Sequence, residues 1–278
     1  MRPQNIGVVI TTYNSPLWLS KVLTGYEQQN YPGFRTIIAD DGSGEDTRAV
    51  IEMHRQRGIL TIDHVWHPDD GFRKCAILNK AIRETDCDYL IFTDGDCIPH
   101  PDYVGIHAER AEPGVFLSGG YIKLTMPVSE AITDDDIRSG AIFDRQWLVE
   151  KGQPNTHKLW KLIPSTRFKT FMNAITPTAA SWNGMNSSTW IDDIRAVNGF
   201  NEDMQYGGLD REFGERLWNY GHKSKQIRFS AVCLHLDHKR GYAKPEIWAK
   251  NRAIRKQVKD TGSYWAENGI RKERILTS

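Results

Sequence analysis

Short apolar runs alternate with amphipathic segments over the first hundred residues. In the amphipathic segments apolar side chains recur at i, i+3, i+4 and i+7, as in 19–26, which is typical of a helix with one buried face. This alternation predicts an α/β fold with a mixed, mostly parallel central sheet and helices on both faces. The predicted strands are 7–13, 35–41, 61–66 and 89–93, and the predicted helices are one that begins after Ser15, 46–56 and 75–83.

The pattern is less regular in the second half of the chain. Residues 132–180 mix acidic, basic and aromatic side chains with several prolines, which indicates a mobile or helical insertion over the sheet. We predict one domain over 1–243, followed by a helical, basic C-terminal appendage over 244–278. The other predicted elements are a strand with a glycine kink at 115–124, helices at 187–199 and 210–221, and a strand at 225–236.

Polar clusters follow three of the predicted strands. They are 11–14 (TTYN), 40–41 (DD) and 94–96 (DGD). Open, mostly parallel sheets bind ligands beyond the carboxyl ends of their strands. We therefore expect these clusters to meet in one crevice.

The third cluster contains two carboxylates separated by one glycine. The chain has further Asp-x-Asp triplets at 86–88 and 134–136, but these lie in polar stretches, whereas Asp94 and Asp96 end an apolar run. Neighbouring like charges repel unless something positive or aqueous lies between them. Mg²⁺ and Mn²⁺ take carboxylate oxygens. The triplet indicates a metal site, and the alternative is a simple Asp-Gly turn.

Basic residues begin the helix predicted at 75–83. Arg73 and Lys74 stand where the helix dipole disfavours cations, which indicates a nearby anion such as a carboxylate cluster or a diphosphate. Asn79 on this helix could reach the same crevice or lie on the surface. Asp40 and Asp41 could accept hydrogen bonds from a nucleobase, or could cap the next helix or close a turn.

Two further candidates lie late in the chain. Asp210 follows the paired glycines 207–208 at a helix start, which suits a general base beside a substrate or an ordinary helix cap. His235 and His238 end the strand predicted at 225–236. They could share a metal ion, or one could be buried and the other exposed.

The composition narrows the class of protein. The net charge of +1 argues against a nucleic-acid partner, because nucleic-acid binders carry a basic footprint. The chain shows neither an apolar run of membrane-spanning length nor a signal-peptide pattern, so we expect a cytoplasmic protein. The cysteines form no Cys-x-x-Cys pair and are expected to be reduced.

Six motifs occur in order along the chain: VVITTYNSP (8–16), IIADDGSGEDT (37–47), GFRKCAILNKAI (71–82), DYLIFTDGDCIPHPDYV (88–104), VNGFNEDMQYGGLDREFGERL (197–217) and CLHLDHKR (233–240). Together they resemble inverting nucleotide-sugar glycosyltransferases of family 2, which have the Rossmann-like GT-A fold. The stretch 71–104, together with the late motifs, is also similar to the catalytic modules of bacterial chondroitin-type polymerases and of galactosyltransferases. The resemblance implies a nucleotide-binding half of about 1–104 and an acceptor and catalytic half of about 105–243.

The resemblance also implies a role for each matched position. Asp210 would be the general base. Asp96 would bind Mn²⁺ or Mg²⁺ on the donor diphosphate, with His238 as the first choice and His235 as the second for the remaining protein ligand. The nucleobase, usually uracil, would lie on residues 11–13 and Asp40, and Asp94 would contact the ribose and the metal. The implied nucleotide-sugar-binding residues are Thr11, Thr12, Tyr13, Asn14, Asp40, Asp41, Arg73, Lys74, Asn79, Asp94 and Gly95, and the implied acceptor or sugar contacts are Trp182, Asn186 and Gly208.

The chain departs from the family pattern at two positions. Leu209 stands where the family often has Glu, and Leu78 stands where many members carry Arg. The first departure bears on contacts with the acceptor. For the second, Arg73 or Lys74 could substitute.

The predicted function is metal-dependent, inverting transfer of a sugar from a nucleotide-diphosphate donor, expected to be a UDP-sugar, to a glycan or lipid-linked acceptor. This would serve bacterial polysaccharide or lipopolysaccharide synthesis. The basic appendage suggests peripheral contact with the inner membrane surface, although a solvated face fits equally well. The alternatives are a nucleotidyltransferase, which should have a glycine-rich basic loop where TTYNSP stands, and an inactive glycan-binding module.

Overall fold

The computed structural model describes residues 2–238 and 245–272. Its strands are β1 (Ile6–Thr12), β2 (Arg35–Asp40), β3 (Thr61–Trp66), β4 (Tyr89–Asp94), β5 (Cys97–Pro99), β6 (Val115–Ser118), β7 (Gly120–Lys123), β8 (Ser187–Trp190), β9 (Lys223–Gln226) and β10 (Val232–His235). Its helices are α1 (Pro16–Tyr26), α2 (Glu45–Gln56), α3 (Lys74–Glu84), α4 (Tyr103–Arg110), α5 (Met126–Ala131), α6 (Asp134–Arg138), α7 (Arg145–Glu150), α8 (Thr166–Ile175), α9 (Ile191–Ala196), α10 (Leu209–Asn219) and α11 (Pro245–Thr261).

A seven-stranded sheet in the order β3-β2-β1-β4-β8-β6-β9 forms the centre of the molecule. The first four strands in this order are parallel, and β8 runs antiparallel to both β4 and β6. A second sheet of three strands has the order β5-β10-β7. The predicted mixed, mostly parallel sheet is confirmed.

Successive side chains of the central strands pack on opposite faces of the sheet. In β1, Val8 and Ile10 are buried with Leu23 of α1, whereas Val9 is buried with Ile77 of α3. Strands covered on both faces have continuous apolar runs, because every side chain is removed from water. This is why the short apolar runs of the sequence coincide with β1 to β4.

Two predicted strands each divide between the two sheets. The segment 115–124 forms β6 in the large sheet and β7 in the small one, and the segment 225–236 divides between β9 and β10 in the same way. Both chain segments therefore cross from one sheet to the other. The small sheet is built from the second member of each pair together with β5.

The predicted helix 187–199 is wrong in its first four residues, which form β8. Pairing with β4 on one side and β6 on the other draws this segment into the sheet. The hydroxyl of Ser188 also lies 2.7 Å from Tyr89 Oη and 2.7 Å from His107 Nδ1. These partners are distant in sequence, so the local pattern did not indicate them.

The insertion consists of short helices. Helices α5 to α8 and 3₁₀ turns at Ala141–Phe143 and His157–Leu162 cover 126–175. Ile142, Leu148 and Leu159 join the apolar cluster of α1. No helix within 2–238 and 245–272 combines the length and apolar composition needed to cross a bilayer. Parts of the predicted appendage and of the CLHLDHKR motif, 239–244 and 273–278, lie outside the described residues.

A buried ion pair anchors α10. Arg216 is fully buried and donates to Glu212 at 2.7 and 3.0 Å, to Val197 O at 2.6 Å and to Gly199 O at 2.6 Å. The guanidinium thus joins α10 to the turn that follows α9. Each of these bonds gives a buried charge or carbonyl group a partner in place of water.

We expect Arg216→Met to lower the free energy of unfolding by about 3–5 kcal/mol, because it leaves the Glu212 carboxylate buried without its partner. Urea unfolding measures the change. Arg195→Met is the matched control. Arg195 is exposed and forms a surface ion pair with Asp192 at 3.7 Å. Such surface pairs contribute about 0–1 kcal/mol. Equal small losses in both variants would contradict this role for Arg216.

Candidate active site

A cleft of about 730 Å³ opens where β1 and β4 end. Its lining comes from the residues at the ends of these two strands, from the start of α10, from α11 and from the small sheet. The residues that line it include Thr11, Thr12, Tyr13, Asn14, Trp18, Asp41, Phe72, Lys74, Asp94, Gly95, Asp96, Tyr121, Tyr206, Gly208, Asp210, His235, His238 and Trp248.

The parallel register of β1 and β4 brings the 11–14 and 94–96 clusters together. Thr11 pairs with Asp94, and its hydroxyl donates to Asp94 Oδ1 over 2.6 Å. Gly95 then donates its N–H to Thr11 O over 2.7 Å, and a Cβ at this glycine would lie only 3.0 Å from that oxygen. The glycine allows the chain to turn tightly, so that Asp96 leaves the large sheet and faces the small one.

Asp96 lies beside two histidines. Its Oδ2 is 3.1 Å from His238 Nε2 and 3.7 Å from His235 Nε2. The antiparallel pairing of His235 with Cys97 sets this approach, together with a bond from Leu236 N to Asp96 O at 2.8 Å. Burial by itself would raise the pKa of Asp96, but the hydrogen bond from His238 and the charges of both imidazoles lower it below its usual value.

These residues fit a divalent cation. A carboxylate and imidazole nitrogens are metal-ligating groups, and Nδ1 of His235 is buried with no hydrogen-bond partner. Asp96, Cys97 and His235 also offer atoms within 4.8 Å of one another. Burial raises the pKa of the Cys97 thiol far above its usual value. Mn²⁺ and Mg²⁺ are hard cations that take oxygen and imidazole ligands in preference to a thiol, so His238 is the better third ligand.

Lys74 lies near two carboxylates that line the cleft, Asp94 and Asp210. Its ammonium is 2.5 Å from Asp94 Oδ1. Burial would lower the pKa of Lys74, but the negative charges of Asp94 and Asp210 raise it instead. Burial raises the pKa of Asp210, and the charge of Lys74 opposes this without reversing it. Asp210 is thus a carboxylate that accepts a proton more readily than usual.

Two backbone features position Asp210. Gly208, at φ +90°, is the N-cap of α10, so Asp210 lies in the first turn of the helix rather than capping it. Asn251 of α11 is buried and donates to the carbonyl oxygens of Gln205, Tyr206 and Gly207 at 3.0, 3.2 and 2.7 Å. Helix α11 therefore holds the loop that leads to Asp210.

The structure brings most of the candidate nucleotide-binding residues to the cleft. The hydroxyl of Thr12 is buried there with no hydrogen-bond partner, and Tyr13 Oη donates to Asp69 Oδ2 over 2.8 Å. Asn14 adopts φ +44° and accepts a bond from Gly44 N over 2.9 Å, which ties the end of β1 to the start of α2. Asp41 also lines the cleft, and burial raises its pKa.

Five candidates lie outside the cleft lining: Asp40, Arg73, Asn79, Trp182 and Asn186. Asp40 is 1% exposed, and its oxygens are occupied by Ser43 N at 2.8 Å and His64 Nε2 at 2.9 Å. The side chain of Arg73 points to Asp70, at 2.9 Å.

The other three candidates are buried, and their side chains contact neighbouring parts of the protein. Asn79 is buried and exchanges two 2.8 Å bonds with the backbone of Phe200. Trp182 is fully buried against Phe213. Asn186 is buried and donates to Gly120 O over 2.8 Å.

The structure adds aromatic residues to the cleft that the sequence did not single out. Tyr121 lies beside His235, with ring centroids 6.2 Å apart. Tyr206 packs edge-on against both Phe72 and Trp248, at 6.0 and 6.1 Å. Tyr121 and Trp248 can be recognised as cleft residues because their side chains are partly exposed. The exposure of a side chain is known only from the folded structure.

The fold is that of the GT-A glycosyltransferases, as predicted. A mannosyltransferase from Pyrobaculum calidifontis, solved with GDP-Man and Mn²⁺, matches with a TM-score of 0.57 at 17% identity, over 91% of this chain and 61% of that one. S. aureus TarS 1–349, solved with UDP-GlcNAc, matches with a TM-score of 0.59 at 14% identity, over 90% and 65%. At these identities the likeness shows the fold alone.

Residues 7–125 match the model of glycosyl transferase family 2. The hyaluronan synthase of Pasteurella multocida is 27% identical over 248 residues, which are 81% of this chain and 24% of that protein. The chondroitin synthase of Escherichia coli is 26% identical over 237 residues, which are 78% and 32%. The chain thus spans a third or less of these relatives. The predicted resemblance and enzyme class, glycosyltransferase, are confirmed.

Proposed function

We propose that this chain transfers a sugar from a nucleotide-diphosphate donor to a hydroxyl group of a glycan acceptor, with a divalent cation and with inversion at the anomeric carbon. The observation that carries the proposal is the presence in one cleft of two different acidic groups. Asp210 has a raised pKa, whereas Asp96 has a lowered pKa and two histidine neighbours. A base and a metal-binding carboxylate need these opposite tendencies.

The donor would lie along the ends of β1 and β4. The unpaired hydroxyl of Thr12, together with Asn14 and Asp41, offers polar contacts for a nucleoside. A UDP-sugar is our first choice of donor. TarS bound to UDP-GlcNAc and the mannosyltransferase bound to GDP-Man support a nucleotide-sugar donor of this kind.

The reaction is a single displacement. Asp210 takes the proton of the acceptor hydroxyl while that oxygen forms a bond to the anomeric carbon. The bond from this carbon to the diphosphate oxygen breaks at the same time, and its electron pair leaves with the nucleoside diphosphate. Attack opposite the leaving group inverts the configuration. The Lys74 ammonium, held at 2.5 Å from Asp94, keeps positive charge in the cleft.

Asp96, His235 and His238 would hold Mn²⁺ or Mg²⁺. When bound, such a cation neutralises the negative charge of a departing diphosphate. The mannosyltransferase solved with Mn²⁺ supports this assignment. Asp94 would lie toward the ribose, since Thr11 and Lys74 already bond to it.

The acceptor and the cellular setting are part of the same proposal. The names of the hyaluronan and chondroitin synthases support a glycan acceptor, free or lipid-linked, in bacterial surface polysaccharide synthesis. Lys250, Arg252 and Lys259 are exposed on α11. They would support peripheral contact of the 244–278 appendage with the cytoplasmic face of the inner membrane.

A panel of nucleotide sugars, with MnCl₂ or with EDTA, tests the proposal by thermal unfolding. We expect one nucleotide sugar to stabilise the protein only with metal, by about 2.7 kcal/mol at a hundred times its Kd, and to be hydrolysed slowly. Binding without hydrolysis would favour the inactive glycan-binding module. Release of pyrophosphate from UTP and a sugar 1-phosphate would favour the nucleotidyltransferase instead.

A further inference from the structure

A group of cations lies beside the cleft on the side of Tyr121. We call Lys158, Lys161, Arg211 and Arg228 the cation cluster. Lys161 belongs to the 3₁₀ turn at His157–Leu162, and its ammonium donates to Tyr121 O over 3.2 Å. Arg228 packs against Gly120, the strand residue before Tyr121, since a Cβ at this glycine would lie 2.8 Å from Arg228 Cγ. Lys161 and Arg228 therefore lie directly against β7.

These positive charges act on one another. Burial, followed by the charges of Arg228 and Lys158, lowers the pKa of Lys161 to about 8. Burial lowers the pKa of Arg228, and the charge of Arg211 adds to this effect. Within 2–238 and 245–272, no carboxylate oxygen lies within 4 Å of any of the four.

A solvated surface patch would not have this arrangement. Lysine and arginine side chains are long and can separate in water. Lys161 and Arg228 are half-buried instead. Holding two cations close together at reduced exposure costs free energy, and a bound anion would recover it through charge-assisted hydrogen bonds.

The position of the cluster indicates which part of a ligand it would meet. Tyr121 is 40% exposed and lines the cleft next to His235. Arg211 directly follows Asp210 in α10. The cluster thus adjoins a residue of the cleft wall, and one of its members is the sequence neighbour of the proposed base.

We propose that the cation cluster binds an anionic group of the acceptor, either the carboxylate of an acidic sugar or a phosphate. This inference rests on the proposed function, because it assigns the chemistry of the acceptor at the same site. A neutral sugar would offer the two half-buried cations no negative charge. The enzyme would therefore discriminate between acceptors by charge.

Isothermal titration of the protein with UDP and MnCl₂ present tests this with three probes. They are methyl β-D-glucuronide, α-D-glucose 1-phosphate and the neutral methyl β-D-glucoside. We expect at least one anionic probe to bind at least tenfold more tightly than the neutral one. The probe that binds distinguishes a carboxylate from a phosphate. We expect Lys161→Gln/Arg228→Gln to lose the preference, and Lys223→Gln, an exposed cation without an ion pair, to keep it.

Equal binding of the three probes, or of none, would overturn the inference, as would an unchanged preference in the double variant. Loss of UDP binding in the double variant would assign the cluster to the donor and would also overturn it. Thermal unfolding of each variant without ligand verifies that it is folded. Retention of metal-dependent UDP binding by the native protein keeps the proposed function separate, since that function fails only if this binding is absent.

Discussion

Replacing Asp210 with Asn should reduce sugar transfer by about 10²–10⁴-fold, which is the usual contribution of general acid–base catalysis. The amide keeps the shape of the side chain but cannot take the proton of the acceptor hydroxyl. Donor binding should persist, because the metal-binding group lies on Asp96 and the histidines. The initial rate of transfer and the metal-dependent thermal shift with the donor measure the two effects separately.

The same substitution should not lower the thermal midpoint. Burial raises the pKa of Asp210 above the ordinary value of 3.8, so the folded state favours the protonated, neutral form. The stability from this preference is present at low pH and is lost as the pH rises through the raised pKa. A neutral amide removes that loss. The kcat of the native enzyme should correspondingly fall as the pH drops through the pKa of Asp210.

Asp192→Asn is the matched control for Asp210→Asn. Asp192 lies in the first turn of α9, and its side chain is 91% exposed. We expect unchanged transfer and an unchanged pH profile in this variant. Normal turnover in Asp210→Asn would rule out Asp210 as the base, whereas loss of donor binding together with turnover would indicate a role in binding.

Replacing Asp96 with Asn should remove the metal dependence of nucleotide binding. Metal affinity should fall by more than about 100-fold, which is the upper end of the loss caused by changing a residue that only hydrogen-bonds to a metal ligand. EDTA should stop transfer by the native enzyme, and added MnCl₂ or MgCl₂ should restore it. The readout is the increment in thermal midpoint on adding metal and UDP. This increment is compared with each variant's own midpoint, because the lowered pKa of Asp96 means that its charged form stabilises the fold.

Asp134→Asn provides the comparison for the metal experiment. Asp134 belongs to another Asp-x-Asp triplet, but it lies at the start of α6 and pairs with Arg138 over 3.2 Å. Its replacement should leave the metal increment intact. A full increment in Asp96→Asn, or full activity of the native enzyme in EDTA, would be incompatible with a metal site at Asp96.

The central part of the fold could be predicted from the sequence because its pattern is local. Strand β3 occupies 61–66 as predicted, and β1, β2 and β4 end within one residue of the predicted positions. In each case an apolar run of strand length lies beside a segment of helical periodicity. Strand β8 could not be predicted in this way, because its pairing with β4 and β6 joins residues about 70–100 positions apart.

The meeting of the 11–14 and 94–96 clusters in one cleft also followed from the sequence. Parallel strands place their carboxyl ends at one edge, so residues that end neighbouring strands must come together. The sequence did not determine which member of each pair faces that edge. Asp40 and Asp41 are chemically identical, yet the carboxylate of Asp40 is hydrogen-bonded to Ser43 N and His64 Nε2, whereas Asp41 lines the cleft.

The sequence by itself therefore determined the class of fold and the region where the polar groups gather, because strand periodicity and strand direction are properties of short segments. Only the tertiary structure decided that Asn79, Trp182 and Asn186 are buried in structural contacts. It alone brought Tyr121, Lys161 and Arg228 together beside the cleft. The direction of a side chain and the charges around it depend on the packing of distant elements, and this packing leaves no local pattern in the chain.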